Sequence, residues 1–250
     1  MKMRLVLACF AIAFATRVVF ADSVAESMRY NAYWTGLKVG EMVLESGSRT
    51  NSEPYLSLRV GSRSFARLFS GDEMEFLSEK ANTSSGTCLL FYKRLVQAGF
   101  HQHDVMRLWP DSGIAIWDDF ENGSSTTSSV PVGSLDIASF FHGFRAMDDL
   151  DGLQTNAISR VVVMDGATHP IAISTGRVVR VNSKWGRTEA REYFVRSYSD
   201  TLFVRNVPKC IRVSTNMPVI VEMDVETGLG TVHFKLNGWE TNAIPVLPDW

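Results

Sequence analysis

A chain of 250 residues is long enough to bury one large hydrophobic core or two small ones. Hydrophobic residues make up 45% of it and charged residues 21%, values that exclude a disordered or collagen-like chain. The formal net charge of -2 argues against a general nucleic-acid-binding protein, because such proteins carry a basic excess that neutralises phosphates. We therefore expect a globular protein without a nucleic-acid partner.

Residues 1–21 have the pattern of a secretory signal peptide. Two basic residues precede an uninterrupted apolar run over 5–16, and the small residues Val19 and Ala21 precede the predicted cleavage site. The run is shorter than the ~20 residues that a membrane span needs, which disfavours an uncleaved anchor. The pattern predicts an exported protein in the periplasm of a Gram-negative bacterium, with one β-rich domain over 22–250 and no transmembrane segment after cleavage.

Cys88 and Cys210 are the cysteines that would remain after removal of residues 1–21. In an oxidising compartment an even pair of cysteines is a candidate disulfide. Closing so long a loop would stabilise the fold by roughly 4–5 kcal/mol on the chain-entropy model. We predict this disulfide, with two separate buried thiols as the alternative.

Strand patterns dominate the first half of the chain. The stretch over 30–45 alternates like a strand, stops at Gly36 and has a second glycine at Gly40, which predicts two strands joined by a turn or bulge. The spacing of these glycines does not match a nucleotide-binding loop. Further turn signals stand at Ser85-Gly86, Asp111-Ser112-Gly113, Asn122-Gly123 and Asp165-Gly166.

The second half of the chain adds two predicted hairpins. Alternating runs on either side of Thr175 and Gly176 predict the first. Alternating runs over 218–226 and 231–237 flank a glycine-rich turn and predict the second, with one buried face. Strands at this spacing predict a mainly β fold, either a large curved antiparallel sheet or an open half-barrel.

One helix is predicted near 134–147, packed on the concave face of that sheet. Ser134 is expected as its N-cap, with Asp136 in the first turn. The apolar residues that recur at helical spacing, and that would face the sheet, are Ile137, Phe140, Phe141 and Phe144.

Aromatic residues are the candidates for ligand binding. A curved sheet with apolar and aromatic side chains on its inner face would form a groove for an acyl chain or an apolar peptide. Ordinary core packing is the alternative for the same side chains. The residues predicted to contact the ligand are Trp34, Trp117, Phe140, Phe141 and Phe144.

No catalytic motif accompanies these residues, since neither Gly-x-Ser-x-Gly nor His-Glu-x-x-His occurs. Glu222 and Asp224 share one predicted strand face and could act as paired carboxylates, although solvated outward positions explain them equally well. His101 and His103 could share a metal ion on a strand, but a solvated strand face is preferred because the sequence identifies no third ligand. We predict no catalytic residue, no metal site and no cofactor.

Three segments, YWTGLKVGEMVLE, VPVGSLDIASFFHGFR and MPVIVEMDVETGLGTVHFKL, occur in this order across residues 28–237. Together they resemble the bacterial exported proteins of the domain of unknown function 3108 family. The positions that carry the resemblance are Tyr33, Gly36, Gly40, Pro131, Asp136, Ser139, Arg145, Pro218, Val219 and Gly230. The chain departs from the family pattern at CIRVSTNMPV, where a tryptophan and an aspartate are expected ahead of the proline.

The resemblance implies an exported, mostly β protein, similar to the open half-barrel of lipoprotein carriers with a helix on the concave side. It implies no established enzyme activity. Residues Gly36, Gly40, Asp136, Arg145 and Pro218 would then have structural roles, and whether Asp136 and Arg145 pair with each other stays open.

These observations predict a non-catalytic protein of the periplasm or cell envelope that binds an apolar ligand, such as a lipid or a lipoprotein acyl chain. The alternatives are a hydrolase acting on envelope polymers and a structural protein of the envelope. A lipid or lipoprotein is therefore the expected partner, and the sequence leaves the oligomeric state open.

Overall fold

The computed structural model describes residues 23–48, 54–62, 73–97, 100–145, 157–184, 186–198, 208–227 and 230–241. The predicted signal peptide lies outside these residues. The strands of the first half are β1 (Ser23–Trp34), β2 (Leu37–Ser48), β3 (Pro54–Ser62), β4 (Glu73–Thr83), β5 (Gly86–Gln97), β6 (Phe100–Trp109), β7 (Ile114–Asp119) and β8 (Ser124–Ser129). They are followed by the helix α1 (Ile137–Gly143), and then by β9 (Ile158–Met164), β10 (Ala167–Ser183), β11 (Gly186–Ser197), β12 (Pro208–Ser214), β13 (Ile220–Thr227) and β14 (Gly230–Thr241).

The described strands form one sheet in the order β8-β7-β6-β5-β4-β3-β2-β1-β14-β13-β12-β11-β10-β9. Every neighbouring pair of strands is antiparallel, and β8 and β9 are the two edges. The sheet is not closed into a barrel. This arrangement confirms the predicted mainly β fold with one large antiparallel sheet and one helix. Among the described residues, no helix has the length and apolar character required to cross a membrane.

The first hairpin follows the prediction from its two glycines. Thr35 and Gly36 form the turn between β1 and β2 with φ values of 47° and 85°, the left-handed conformation that favours glycine. The pairing of β1 with β2 then shifts by one residue at Val39, next to Gly40. A Cβ atom on Gly40 would lie 2.5 Å from the carbonyl oxygen of Gly61 on β3, so this position requires glycine.

The helix and the inner face of the sheet share one core. Buried members of this core come from strands across the sheet, for example Met28 on β1, Phe91 on β5 and Ile211 on β12. The helix contacts β3 and β4 as well as β9, and these strands are far apart in the sheet order. The sheet therefore curves around the helix.

The helix begins and ends inside the predicted range of 134–147. Its N-cap is Asp136, whose side chain accepts a hydrogen bond from the backbone N–H of Ser139. The predicted cap was wrong, because the Ser134 hydroxyl instead donates to the carbonyl oxygen of Pro131 at 2.6 Å. Ser134 thus closes the turn that precedes the helix.

The two ends of the sheet approach each other without pairing as strands. Leu135 bridges to Val162 on the β9 edge in a parallel arrangement. Lys93 on β5 forms an ion pair with Asp165 in the turn between β9 and β10. These contacts bring the β9–β10 hairpin beside the strands at the opposite end of the sheet.

The hairpin predicted at Thr175 and Gly176 is wrong. These residues lie inside β10, a continuous strand of 17 residues whose pairing with β11 shifts between Thr175 and Val178. A Cβ atom on Gly176 would lie 2.7 Å from Cε2 of Phe194 and 2.9 Å from Cβ of Glu192. Gly176 therefore allows close packing at a bulge. Glycine is favoured at bulges as well as in turns, so its presence alone did not distinguish the two.

The predicted disulfide is not formed, because Cys88 and Cys210 are both buried free cysteines. Cys88 lies on β5 and Cys210 on β12. The strands β4, β3, β2, β1, β14 and β13 lie between them in the sheet order. The alternative interpretation, two separate buried thiols, describes this structure.

Candidate ligand-binding cleft

Four of the five aromatic residues predicted to contact a ligand are core residues in this structure. Trp117 and the three helix phenylalanines are at most 7% exposed. The Phe140 ring packs edge-on against Phe141 and Phe144, with centroid distances of 5.7 and 5.1 Å. Phe144 extends the cluster to Tyr193 on β11 at 5.9 Å. These rings are buried in the core, and their ligand-binding role stays a prediction.

Trp34, the fifth predicted ligand residue, is half-buried at the end of β1. It lies opposite Val232 on β14, and its indole Nε1 is 3.6 Å from the position of a Cβ on Gly230. The structure therefore does not bring Trp34 into the cluster of helix phenylalanines.

The predicted structural residues Asp136 and Arg145 do not pair with each other. Arg145 forms an ion pair with Glu26, and its Nε donates to the carbonyl oxygen of Pro218 at 2.8 Å. Glu26 also accepts a hydrogen bond from the indole N–H of Trp239. Arg145 and Pro218, which both belong to the resemblance positions, thus join the end of the helix to the β12–β13 connection.

A cleft of about 830 Å³ lies over β12, β13 and β14, and the core residues Val181 and Phe234 form part of its lining. The end of the long β10–β11 hairpin approaches β13 and β14 and forms one side of the cleft. Val179 and Val181 on β10 line this side, and Tyr33 and Gly36 line the cleft near the β1–β2 turn. Its volume lies within the roughly 300–1,000 Å³ typical of small-molecule sites.

The floor of the cleft is a row of alternating charges across four strands. Direct cross-strand neighbours place Glu192 of β11, Arg212 of β12, Glu222 of β13 and Lys235 of β14 side by side. Arg212 donates from Nε to Glu192 at 3.2 Å and from Nη1 to Glu222 at 3.4 Å and Asp224 at 3.0 Å. One guanidinium therefore holds three carboxylates.

The outer part of the floor contains His233 and Lys235, both about half exposed. The Nδ1 atom of His233 lies 2.7 Å from a carboxylate oxygen of Asp224. The Nζ atom of Lys235 lies 3.8 Å from Glu222. Asp224 therefore has His233 as a second partner besides Arg212, and Glu222 has Lys235 as a second partner besides Arg212.

Electrostatics keep the Arg212 guanidinium cationic and leave the neighbouring Cys210 thiol unreactive. Burial alone lowers the pKa of Arg212, but the acidic groups of Cys210, Asp224 and Glu222 raise it above its ordinary value. Burial raises the pKa of the Cys210 thiol to about 11, so the thiolate that a nucleophile requires is scarce at neutral pH. The cleft therefore offers fixed charges for binding and no activated cysteine.

The sequence pointed to only part of this cleft. The shared strand face of Glu222 and Asp224 was visible from alternation, and both side chains do line the cleft. Arg212 was missed because its role depends on the register between β12 and its two neighbours. The valine side was missed because it depends on the unexpected continuity of β10.

No protein-family model matches the chain, and no curated protein matches it. Among solved structures, the chain is similar to a β-barrel-like protein of the domain of unknown function DUF1849 from Brucella abortus. The TM-score is 0.60 at 10% sequence identity, covering 88% of this chain and 99% of the other. At this identity the similarity shows the fold alone. It supports a β-barrel-like fold of unknown function and does not support the specific 3108 family.

Proposed function

We propose that this chain is a non-catalytic binding protein of the cell envelope, and that the cleft holds the polar part of an amphipathic ligand such as a lipid. The observation that carries the proposal is the mixed lining of the cleft, where Val179 and Val181 flank a floor of alternating charges. Export to the periplasm and membership of the 3108 family belong to the proposal, supported by the pattern of residues 1–21 and the resemblance segments.

The balance of charge in the cleft favours a zwitterionic ligand. The lining has as many cationic as anionic side chains, namely Arg180, Arg212 and Lys235 against Glu192, Glu222 and Asp224. A ligand with only one sign of charge would meet repulsion from half of these groups. A ligand with an ammonium and a phosphate can place each beside the opposite charge, and its apolar part can contact the partly exposed Val179, behind which Val181 is buried.

Several polar atoms in the cleft can form further hydrogen bonds or ion pairs with such a ligand. The Nη2 atom of Arg212 has no hydrogen-bond acceptor within the described part of the chain. The Lys235 ammonium is about half exposed and can reach a phosphate above the floor. The Glu222 and Asp224 carboxylates can accept hydrogen bonds from a primary ammonium, since charge-assisted bonds of this kind are the stronger ones.

Binding is better supported than hydrolysis of an envelope polymer. Glu222 and Asp224 both accept hydrogen bonds from the Arg212 guanidinium and belong to one ion-pair network. A carboxylate that acts as a general acid or base must reach the proton of the substrate, and these two are already engaged by the same side chain. Two carboxylates tied to one cation favour a fixed electrostatic surface instead.

Native mass spectrometry of the protein purified from periplasmic extracts tests this proposal. We expect an additional mass that corresponds to a phospholipid with an ammonium head group. The Glu226→Gln variant, altered on β13 outside the cleft lining, should retain the same additional mass. Repeated preparations without any bound lipid, from cells that contain such phospholipids, would contradict the proposal.

A further inference from the structure

The two edge strands of the sheet differ in how they are protected. At the β9 edge, the backbone N–H of Leu135 donates to Val161 at 2.9 Å and its carbonyl accepts from Val163 at 2.8 Å. The exposed cation Arg160 also lies on β9. A covered backbone and a charged side chain are two devices by which natural sheets prevent edge-to-edge association.

Among the residues that the structure describes, neither device is present at the β8 edge. Its sequence, SSTTSS over Ser124–Ser129, contains no charge and no proline, and five of its six positions are exposed. On one side β8 pairs with β7. On the other side, no backbone hydrogen bond joins it to another described residue. Within the described part of the chain, alternate residues of β8 therefore have N–H and C=O groups without a backbone partner, and such groups form a template for another strand.

Exposed apolar side chains lie at both ends of β8, one at its start and two at its end. Phe120, in the turn before the strand, is 59% exposed. At the other end, Val132 is 73% exposed and Ile114, opposite Ser129, is 42% exposed. Large exposed apolar side chains grouped around an open strand edge indicate an interaction surface more strongly than isolated ones do.

We propose that two copies of this chain associate by antiparallel pairing of their β8 strands across a two-fold axis. In an antiparallel pair, the Phe120 end of one β8 lies beside the Val132 and Ile114 end of the other. Every cross-strand pair within β8 joins serine or threonine to serine or threonine, so no like charges oppose each other. The axis makes the interface self-complementary and closes the assembly at two copies.

The second copy is a better occupant of this edge than the far edge of another molecule. Pairing of β8 with β9 of a neighbour would have to displace Leu135 from the β9 backbone. Such head-to-tail contacts would also generate a ring or an open chain of molecules in place of a two-fold pair. The β8–β8 contact leaves the Leu135 bridge to β9 intact and is independent of ligand binding in the cleft.

Cysteine cross-linking tests the pairing directly. Single variants Ser125→Cys, Thr126→Cys, Thr127→Cys and Ser128→Cys would be oxidised mildly and separated by non-reducing electrophoresis. When two identical antiparallel strands are related by a two-fold axis, one residue lies directly opposite the same residue of the other chain. We therefore expect cross-linking to be highest at one central position and lower at its neighbours. The wild-type protein is the control, because Cys88 and Cys210 are buried. Absence of a cross-linked dimer at all four positions would overturn the proposal.

Sedimentation over a concentration series provides the second test. The wild-type protein should dimerise, and the double variant Thr126→Lys/Thr127→Lys should stay monomeric because like charges would face each other across the axis. Asn237→Lys/Thr241→Lys adds the same charge to exposed positions of the central strand β14 and should still dimerise. A wild-type protein that is monomeric throughout, or a dimer unchanged by the β8 lysines, would overturn the proposal. If the β8 lysine variant does not fold, the cross-linking result decides.

Discussion

The hydroxyl of Ser78 on β4 donates a hydrogen bond of 2.7 Å to Oδ2 of Asp136, the residue that caps the helix. The same carboxylate accepts from the backbone N–H of Ser139 at 2.9 Å and from its hydroxyl at 2.7 Å. Asp136 is fully buried, and these donors replace the water that would otherwise solvate it. The Ser78 contact therefore fixes where the helix begins and how its first turn sits on the sheet.

Replacing Asp136 with alanine should lower the free energy of unfolding by about 1–3 kcal/mol, since it removes an N-cap and leaves the buried Ser78 hydroxyl without its acceptor. Urea unfolding followed by circular dichroism measures the change. Asp136→Asn is the matched control, because asparagine can also cap the helix and should cost less. Equal stability of Asp136→Ala and the wild type would contradict this role.

The ion pair between Arg145 and Glu26 should matter more to stability than an exposed pair does. Both side chains are largely buried, so Arg145→Met leaves an uncompensated carboxylate and should cost on the order of 3 kcal/mol. The matched control is Arg29→Met, which removes a pair with Glu240 that is more than half exposed and should cost less than about 1 kcal/mol. Similar losses for the two variants, measured by urea unfolding, would show that Arg145 has no special role.

Gly40 and Gly61 provide a matched pair of glycine substitutions on adjacent strands. Gly40→Ala places a Cβ 2.5 Å from a backbone oxygen and should reduce stability by about 1–3 kcal/mol, because the backbone must shift. Gly61→Ala meets no atom within 4 Å and should be neutral or slightly stabilising. Thermal unfolding of both variants checks the prediction, which is wrong if the two midpoints agree.

Asp104 should make stability depend on pH. Burial raises the pKa of Asp104 to about 6, and Lys93 only partly offsets it. Because the ordinary value is 3.8, the folded protein binds this proton more tightly, and the stability gained is full below about pH 4 and is lost as the pH rises to about 6. Asp104→Asn should therefore gain stability relative to the wild type between about pH 4 and pH 7. A difference between the two proteins that is constant across this range would contradict the assignment.

Local signals in the sequence predicted the parts of the fold that depend on neighbouring residues. The turn at Gly36 and the apolar face of the helix, with Phe140 and Phe144, follow from turn chemistry and helical spacing, and both are confirmed. The prediction of Ser134 as the N-cap was wrong, and the actual cap, Asp136, is also held by Ser78, which lies 58 positions away in the sequence.

Features that depend on how distant strands pair could not be predicted from the sequence. The sequence does not distinguish a glycine that permits close packing at a bulge from one that makes a turn. Gly176 was therefore predicted to lie in a turn, although it lies at a bulge. The spacing of Cys88 and Cys210 along the chain carries no information about their positions in the sheet. The alignment of Glu192, Arg212 and Glu222 exists only once the strands are paired.

Isothermal titration with lysophosphatidylethanolamine, a single-chain lipid with an ammonium and a phosphate, tests the cleft proposal most directly. The wild type and Glu226→Gln should bind it equally. Glu222→Gln/Asp224→Asn, which removes two carboxylates from the floor and keeps their shape, should bind at least about tenfold more weakly, equivalent to about 1.4 kcal/mol. Lysophosphatidylglycerol, which lacks the ammonium, should bind the wild type more weakly. No binding by the wild type, or equal binding by the correctly folded double variant, would contradict the account.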